Sequence, residues 1–325
     1  MAKRIGITTT VPHEIIVAAG AVPVDLNNLF ISDPDCGGLV DRAEAEGFPA
    51  GVCSWIKGLY AAARAHQIDT VVAVINGDCA NTRALAEVLI HRGLQVAPFM
   101  YPAEREPVLV AKALEDFARR MGTTLERAER VRRAWWPIRQ RLVELDTMAW
   151  EEDKITSREL HQWLVSASDF NGDPEAYDRD LKKFLIQARR RSPLPQRIRL
   201  AYLGVPPILN NLFEILAERG ARVAFTEIQR QFAMPNPCAD LIEQFCRYTY
   251  PYSLEPRLSD VIPQIRKRRV VGAINYVQAF CHRQIEHIVL REKIPVPILA
   301  LEADRPGPVT GQTLTRLDAF LEMLR

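Results

Sequence analysis

The stretch Ile274-Asn275-Tyr276-Val277-Gln278-Ala279-Phe280-Cys281-His282-Arg283 decides how this chain is read, because an apolar run ends there in a cysteine followed by a basic pair. Val270, Val271, Ala273, Ile274, Tyr276 and Val277 fit a strand buried on both faces, and Gln284 to Arg291 read as the helix after it. Cys281 then stands at the carboxyl end of a parallel strand, where open α/β sheets place their ligands. Two earlier cysteines repeat the pattern. Phe48 to Cys53 leads into an amphipathic helix over Ser54 to His66, so Cys53 sits where unpaired backbone N–H groups and the helix dipole favour a thiolate. The strand Asp69 to Ile75 ends in Asn76-Gly77-Asp78-Cys79-Ala80-Asn81-Thr82, and a helix from Thr82 to Arg92 follows.

Outward from these points the chain alternates strand and helix. Arg4 to Thr8 is a short strand, Pro12-His13-Glu14 opens a helix through Ala19 with Gly20 closing it, and Val22 to Leu26 is a second strand. Ser32 to Gly51 is loop-rich, with Cys36 in it and a short helix over Leu39 to Glu46, and Gln95 to Phe99 is a further strand. Pro98, Pro102 and Pro107 close a first α/β domain over residues 1–107. Residues 108–191 are helical and charged, with Leu114, Phe117, Met121, Leu125, Val131 and Trp135 near helical spacing, and read as a linker layer. Trp135-Trp136 reads as core or interface rather than as a stacking platform. Asp169-Phe170-Asn171-Gly172-Asp173 lacks the further spaced carboxylates of a calcium loop, and Pro174 interrupts it.

After Ser192-Pro193-Leu194-Pro195 the alternation resumes, giving a second α/β domain over residues 192–325. Arg197 to Leu203 and Val223 to Thr226 read as strands, Ile208 to Arg219 as a helix, and Gln229 to Pro237 as a loop. Cys238 to Arg247 reads as a helix with its two cysteines on one core face, followed by a loop rich in tyrosine and proline. A helix to Arg269, the Cys281 strand, a strand over Pro297 to Glu302 and a helix over Thr313 to Leu324 complete it. The fold class is α/β: two Rossmann-like domains with parallel sheets joined by a helical segment.

Composition bounds the function. The 325 residues are 48% apolar and 25% charged with a net charge of +2, too small and too mixed to imply a nucleic-acid partner. An anionic small-molecule ligand stays open. No apolar run approaches the ~18 residues of a membrane span, and Met1-Ala2-Lys3-Arg4 leads into a strand rather than a signal peptide, so the chain is expected in the cytoplasm. In that reducing compartment six cysteines point to burial, metal or redox chemistry rather than disulfides.

Cys53, Cys79 and Cys281 lie 26 and then 202 residues apart, so no local CxxC spacing marks a metal site. Two readings stand. The thiols are small buried residues at tight turns, or they converge as thiolates on an iron–sulfur cluster, zinc or copper with one position open.

Residues Thr8 to Val24, with Pro12, Glu14-Ile15 and Ala18-Ala19-Gly20, resemble the P-x-E-I-x-x-A-A-G region of the 2-hydroxyacyl-CoA dehydratase D-component family, which includes benzoyl-CoA reductase subunits. The resemblance continues through Phe48-Pro49 to Tyr60 around Cys53, the Gly77-Asp78-Cys79 turn and Val277 to Arg283 around Cys281. Leu301 to Asp304, Gly311-Gln312, Thr315-Arg316 and Ala319 to Glu322 extend it to almost the whole chain.

The resemblance implies a [4Fe-4S] cluster held by three cysteines, here Cys53, Cys79 and Cys281, with the fourth iron open to water, hydroxide or substrate. It also implies an ATP-dependent iron–sulfur activator protein that delivers one low-potential electron, and a related dehydratase subunit or a second copy of the chain as dimer partner. In such enzymes the thioester carbonyl of an acyl-CoA substrate becomes a ketyl radical anion. Its carbon turns nucleophilic, and the adjacent hydroxyl leaves to give an enoyl-CoA. The alternatives are an electron-relay or scaffold subunit of a benzoyl-CoA reductase-like complex, and a zinc-thiolate hydrolase.

Some features depart from the family pattern. The chain is shorter than most relatives and starts at the first strand, and the Cys79 turn lacks the lysines of many members. Cys238 and Cys246 invite comparison with the double-cubane branch but read as core, and Cys36 is the reserve ligand. His282 and Arg283 are the weak catalytic candidates, for a proton to the leaving group or a contact to an anionic cluster or substrate, against an orienting role and a salt bridge. His13 and Glu14 read as first-turn residues serving the helix dipole, and Glu302 and Asp304 lie at a strand end.

Overall fold

A computed structural model of the chain describes residues 2–195 and 197–325; Met1, at the head of the segment read as leading straight into a strand, lies outside them. The chain runs β1 (Arg4–Ile7), α1 (His13–Ala18), β2 (Val22–Asp25), α2 (Leu26–Ser32), α3 (Cys36–Ala45), α4 (Ser54–Ala65), β3 (Thr70–Asn76), α5 (Thr82–His91) and β4 (Gln95–Met100). Helices α6 (Pro107–Arg120), α7 (Leu125–Trp150), α8 (Ser157–Val165) and α9 (Pro174–Arg189) follow. Then come β5 (Ile198–Gly204), α10 (Leu212–Glu218), β6 (Ala221–Thr226), α11 (Ile228–Phe232), α12 (Leu241–Arg247), α13 (Leu254–Lys267), β7 (Gly272–Gln278), α14 (His287–Lys293), β8 (Ile298–Ala303) and α15 (Gly311–Met323).

The strands form two four-stranded parallel sheets, β2-β1-β3-β4 and β6-β5-β7-β8. This is the α/β, two-sheet architecture the sequence predicts. Every residue of β7 and the first five of β3 are buried, as parallel strands covered by helices on both faces require. The two sheets share one strand order. In each, the chain reverses direction across the sheet between the first and third strands, which makes β1/β3 and β5/β7 the topological switch points where such folds bind ligands.

Two compact units result. One comprises Met1–Gln140, Ser166–Asp178 and Met234–Tyr252; the other comprises Arg141–Val165, Arg179–Ala233 and Ser253–Arg325. The second unit centres on Leu203, Phe225, Val261, Ile265 and Ala273, with Trp150 packed against them. There the Arg268 guanidinium holds Asp146 through Nη1 at 2.7 Å while its flat face lies 5.4 Å from the Trp150 ring centre.

Local structure departs from the sequence reading at four places. Leu26–Ser32 is a helix, because the Asp25 side chain caps it by accepting from the Asn27 N–H at 2.9 Å. Helix α11 occupies part of the stretch read as the Gln229 to Pro237 loop. The helix read from Cys238 begins only at Leu241, where Asp240 accepts from the Glu243 N–H at 2.8 Å. Cys238 therefore shares no helix face with Cys246, and Arg132 Nη1 donates to its sulfur at 3.4 Å. The segment after Cys281 is a 3-10 turn over His282–Glu286 followed by α14, rather than one helix.

Candidate functional site

Cys79 and Cys281 occupy equivalent positions. Each follows the third strand of its sheet by three residues, past Asn76 at the end of β3 and past Gln278 at the end of β7. Cys53 is the N-cap of α4 and is buried. No disulfide joins any of the six cysteines.

The α4 start is built around a buried lysine. Lys57, in the first turn, donates to Glu44 Oε1 at 2.6 Å and to the Ala50 carbonyl at 3.1 Å, tying the Cys53 loop to α3. One turn inward, Gly58 is packed on the Phe30 ring, 2.4 Å from where a Cβ would stand, so α4 approaches α2 as only glycine permits. In the Cys79 turn, Gly77 has φ +96°, and Tyr250 donates to Asp78 Oδ1 at 2.6 Å.

Around Cys281 the geometry is that of a lined pocket. Its N–H donates to the Gln278 carbonyl and its own carbonyl accepts from the Gln284 N–H, both at 3.1 Å. The preceding Phe280 is held at φ +63° and is 54% exposed, a left-handed conformation uncommon for a bulky residue. The pocket opens at the β5/β7 switch point between Gly204, Asn275, Gln278 and Cys281 and encloses about 20 Å³, room for roughly one water molecule.

Its floor is a chain of alternating charges. Arg257 donates to both oxygens of Glu227, at 2.6 and 3.2 Å, and reaches Glu286 through Nη1; Arg283 approaches Glu286 at 3.3 Å. Glu227 Oε2 also accepts from the Gly204 N–H at 3.0 Å. Burial pushes the Glu227 carboxyl up, but the Arg257 guanidinium and the Gly204 N–H outweigh it and hold it below the ordinary range. Burial likewise opposes the Arg257 charge, and Glu227 and Glu286 more than restore it. Of the two catalytic candidates, His282 is exposed and Arg283 is largely buried in its ion pair with Glu286. Glu302 and Asp304 are exposed past the middle of β8 and at its end.

The first unit carries a second polar constellation, around α1 and the end of β2. His13 and Glu14 do not cap α1; both are fully buried, and the helix has no side-chain cap. Glu14 Oε1 instead accepts from Arg139 Nη2 at 2.7 Å and Gln244 Nε2 at 2.8 Å. Asp25 and Asp169 form a buried carboxyl pair, in which Asp169 Oδ2 accepts from the Asp25 N–H at 2.7 Å and Ser168 donates to Asp25. The sequence reading missed Glu227, Arg257, Arg139 and this pair. Their partners lie up to 144 residues away, and no local spacing marks them.

Among the described residues no group of three or more His, Cys, Asp or Glu side chains is arranged to hold a metal ion, and no helix is long and apolar enough to cross a membrane. Cys53 and Cys79 belong to one unit and Cys281 to the other.

Two parallel sheets of one strand order, each with a cysteine three residues beyond its third strand, define an α/β protein of two similar sheets. The chain belongs to the 2-hydroxyglutaryl-CoA dehydratase, D-component family, whose model matches residues 8–324. No curated protein matches it. Among solved structures it is similar to the SBP FpvC of P. aeruginosa in complex with Ni2+, at 15% identity over 100% of this chain and 97% of that one, with a TM-score of 0.24. The same protein in complex with Mn2+ gives 16% identity over 99% and 97%, with a TM-score of 0.23. Similarity this low carries no argument about the site.

Proposed function

We propose that this chain is the iron–sulfur subunit of a 2-hydroxyacyl-CoA dehydratase-type enzyme, a lyase acting in the cytoplasm, with Cys53, Cys79 and Cys281 as the ligands of a [4Fe-4S] cluster. The observation that carries the reading is the equivalence of Cys79 and Cys281, each three residues beyond the third strand of a sheet in a chain of this family. The donor chemistry fits the group: these are thiols outside any disulfide, set at turns and a helix start.

A bound cluster supplies a low-potential electron, delivered by an ATP-dependent activator protein, and an iron with an open position. The chain's own residues do the rest. Lys57 and the Gly77-Asp78 turn fix the Cys53 and Cys79 loops. The Glu227–Arg257–Glu286–Arg283 chain sets two charges of each sign beneath Cys281. In this reading Arg283, which lines the pocket, and His282, exposed beside Cys281, would meet an oxygen or the charge of an acyl-CoA. A related subunit or a second copy of this chain completes the enzyme.

Anaerobic purification followed by iron, acid-labile sulfide and zinc analysis of the wild type and of Cys281→Ser tests this. About four irons and four sulfides per chain, falling sharply in the variant, are expected. Stoichiometric zinc, or no metal after anaerobic reconstitution, overturns it.

A further inference from the structure

Resting on the assignment of Cys79 as a cluster ligand, we infer that Tyr250 is a positioning residue for that ligand, clamping the Asn76–Cys79 turn through Asp78 from a loop far away in sequence. Tyr250 donates to Asp78 Oδ1 at 2.6 Å across a separation of 172 residues, and its side chain is buried. The neighbouring Pro251 packs on the same turn, since a Cβ on Gly77 would meet Pro251 Cβ at 3.2 Å and Tyr101 Cβ at 2.7 Å.

Tyr101 closes the other side. It donates through its hydroxyl to the Thr10 carbonyl at 2.8 Å, and its own carbonyl accepts from Asn76 Nδ2 at 2.7 Å. Its ring lies 6.1 and 6.2 Å from those of Tyr248 and Tyr252. The tyrosine-rich segment 248–252 thus lies over the Cys79 turn within one compact unit. Of these contacts only the Tyr250 hydroxyl reaches the residue adjacent to Cys79. A hydrogen bond to a carboxylate in a protected setting is among the stronger ones, and its loss frees the turn.

The test uses full-length Tyr250→Phe, Asp78→Ala and the double variant. In the metal-free protein, alkylation of Cys79 by iodoacetamide, read by peptide mass spectrometry with Cys36 as internal reference, should rise roughly tenfold in either single variant and no further in the double. After anaerobic reconstitution, both single variants should release iron to a chelator faster and change the electron paramagnetic resonance spectrum of the reduced protein. Wild-type alkylation rates in Tyr250→Phe overturn the clamp. Faster alkylation with unchanged iron release and spectrum sustains the clamp and overturns Cys79 as a ligand. Asp78→Ala keeps the test decisive if Tyr250→Phe folds poorly.

Discussion

Arg139 Nη2 donates to Glu14 Oε1 at 2.7 Å, and neither side chain is exposed to solvent. The pair sits behind the carboxyl end of β1, at the place where the sequence suggested a helix-capping role for Glu14. Burial alone would push the Glu14 carboxyl up; His13, Arg139 and the Gln244 amide more than offset that and hold it below the ordinary range. An ion pair of this kind is costly to break from one side, because the abandoned charge stays buried. Arg139→Met should therefore lose about 3–5 kcal/mol in urea denaturation, and Glu14→Gln combined with Arg139→Met should lose less than the sum of the single changes. A loss below ~1 kcal/mol in Arg139→Met would mean that the pair is solvated in solution.

His13 adds a pH dependence. Its ring stacks on Trp135 at 5.0 Å and meets the edge of Phe170 at 5.6 Å. Burial foremost, with the Arg139 charge, lowers its pKa to about 4 from 6.5. The unfolded chain then binds a proton below pH 6.5 that the folded chain refuses, so stability falls as pH drops from 6.5 towards 4, by roughly 3 kcal/mol for this group. His13→Phe keeps a ring between Trp135 and Phe170 and should flatten that slope. A wild-type slope in the variant would show that other groups set the acid limit.

Asp169 has the opposite sign. Burial first, and the neighbouring Asp25 second, raise it to about 7. The folded chain holds a proton there that the unfolded chain releases near pH 4, so the Asp169 contribution is full below that pH and declines until about pH 7. Carbon-13 labelling of aspartate carboxyls should show one group titrating near neutrality, moving down in Asp25→Asn. A midpoint near 4 in the wild type would place the pair in contact with water.

Hydrophobic runs make the strands legible. Thr70 to Asn76 and Gly272 to Gln278 are nearly continuous apolar segments, and the pattern of residues alone sets the cysteines that follow them at strand ends. What the pattern does not carry is either contextual or remote. Leu26–Ser32 carries two asparagines and gains its helix from the Asp25 cap, while Asp240 delays α12 and removes Cys238 from it. Met234–Tyr252 belongs with the N-terminal sheet, although it follows strands of the second sheet in sequence. The buried ions at Glu14, Arg139, Glu227 and Arg257 find partners 23 to 230 residues away, a distance over which side-chain spacing carries no signal.

The β5/β7 switch point allows a test of how tightly the Cys281 pocket is set. Gly204 has φ +92°, pairs with Tyr276, and donates its N–H to Glu227. A Cβ there would stand 2.1 Å from the Tyr276 carbonyl oxygen, which is backbone and cannot rotate away. Gly20 provides the control, since its φ is +80° and nothing lies within 4 Å of its Cβ position. Gly20→Ala should cost only the left-handed conformation, about 1–2 kcal/mol, whereas Gly204→Ala should exceed it by about 2 kcal/mol or more as β7 is pushed off its register. The displaced strand carries Cys281 with it, so alkylation of that thiol should rise in Gly204→Ala and stay at the wild-type rate in Gly20→Ala. Equal losses in the two variants would show that β5 and β7 have room to separate, and that the pocket floor is not what fixes Cys281.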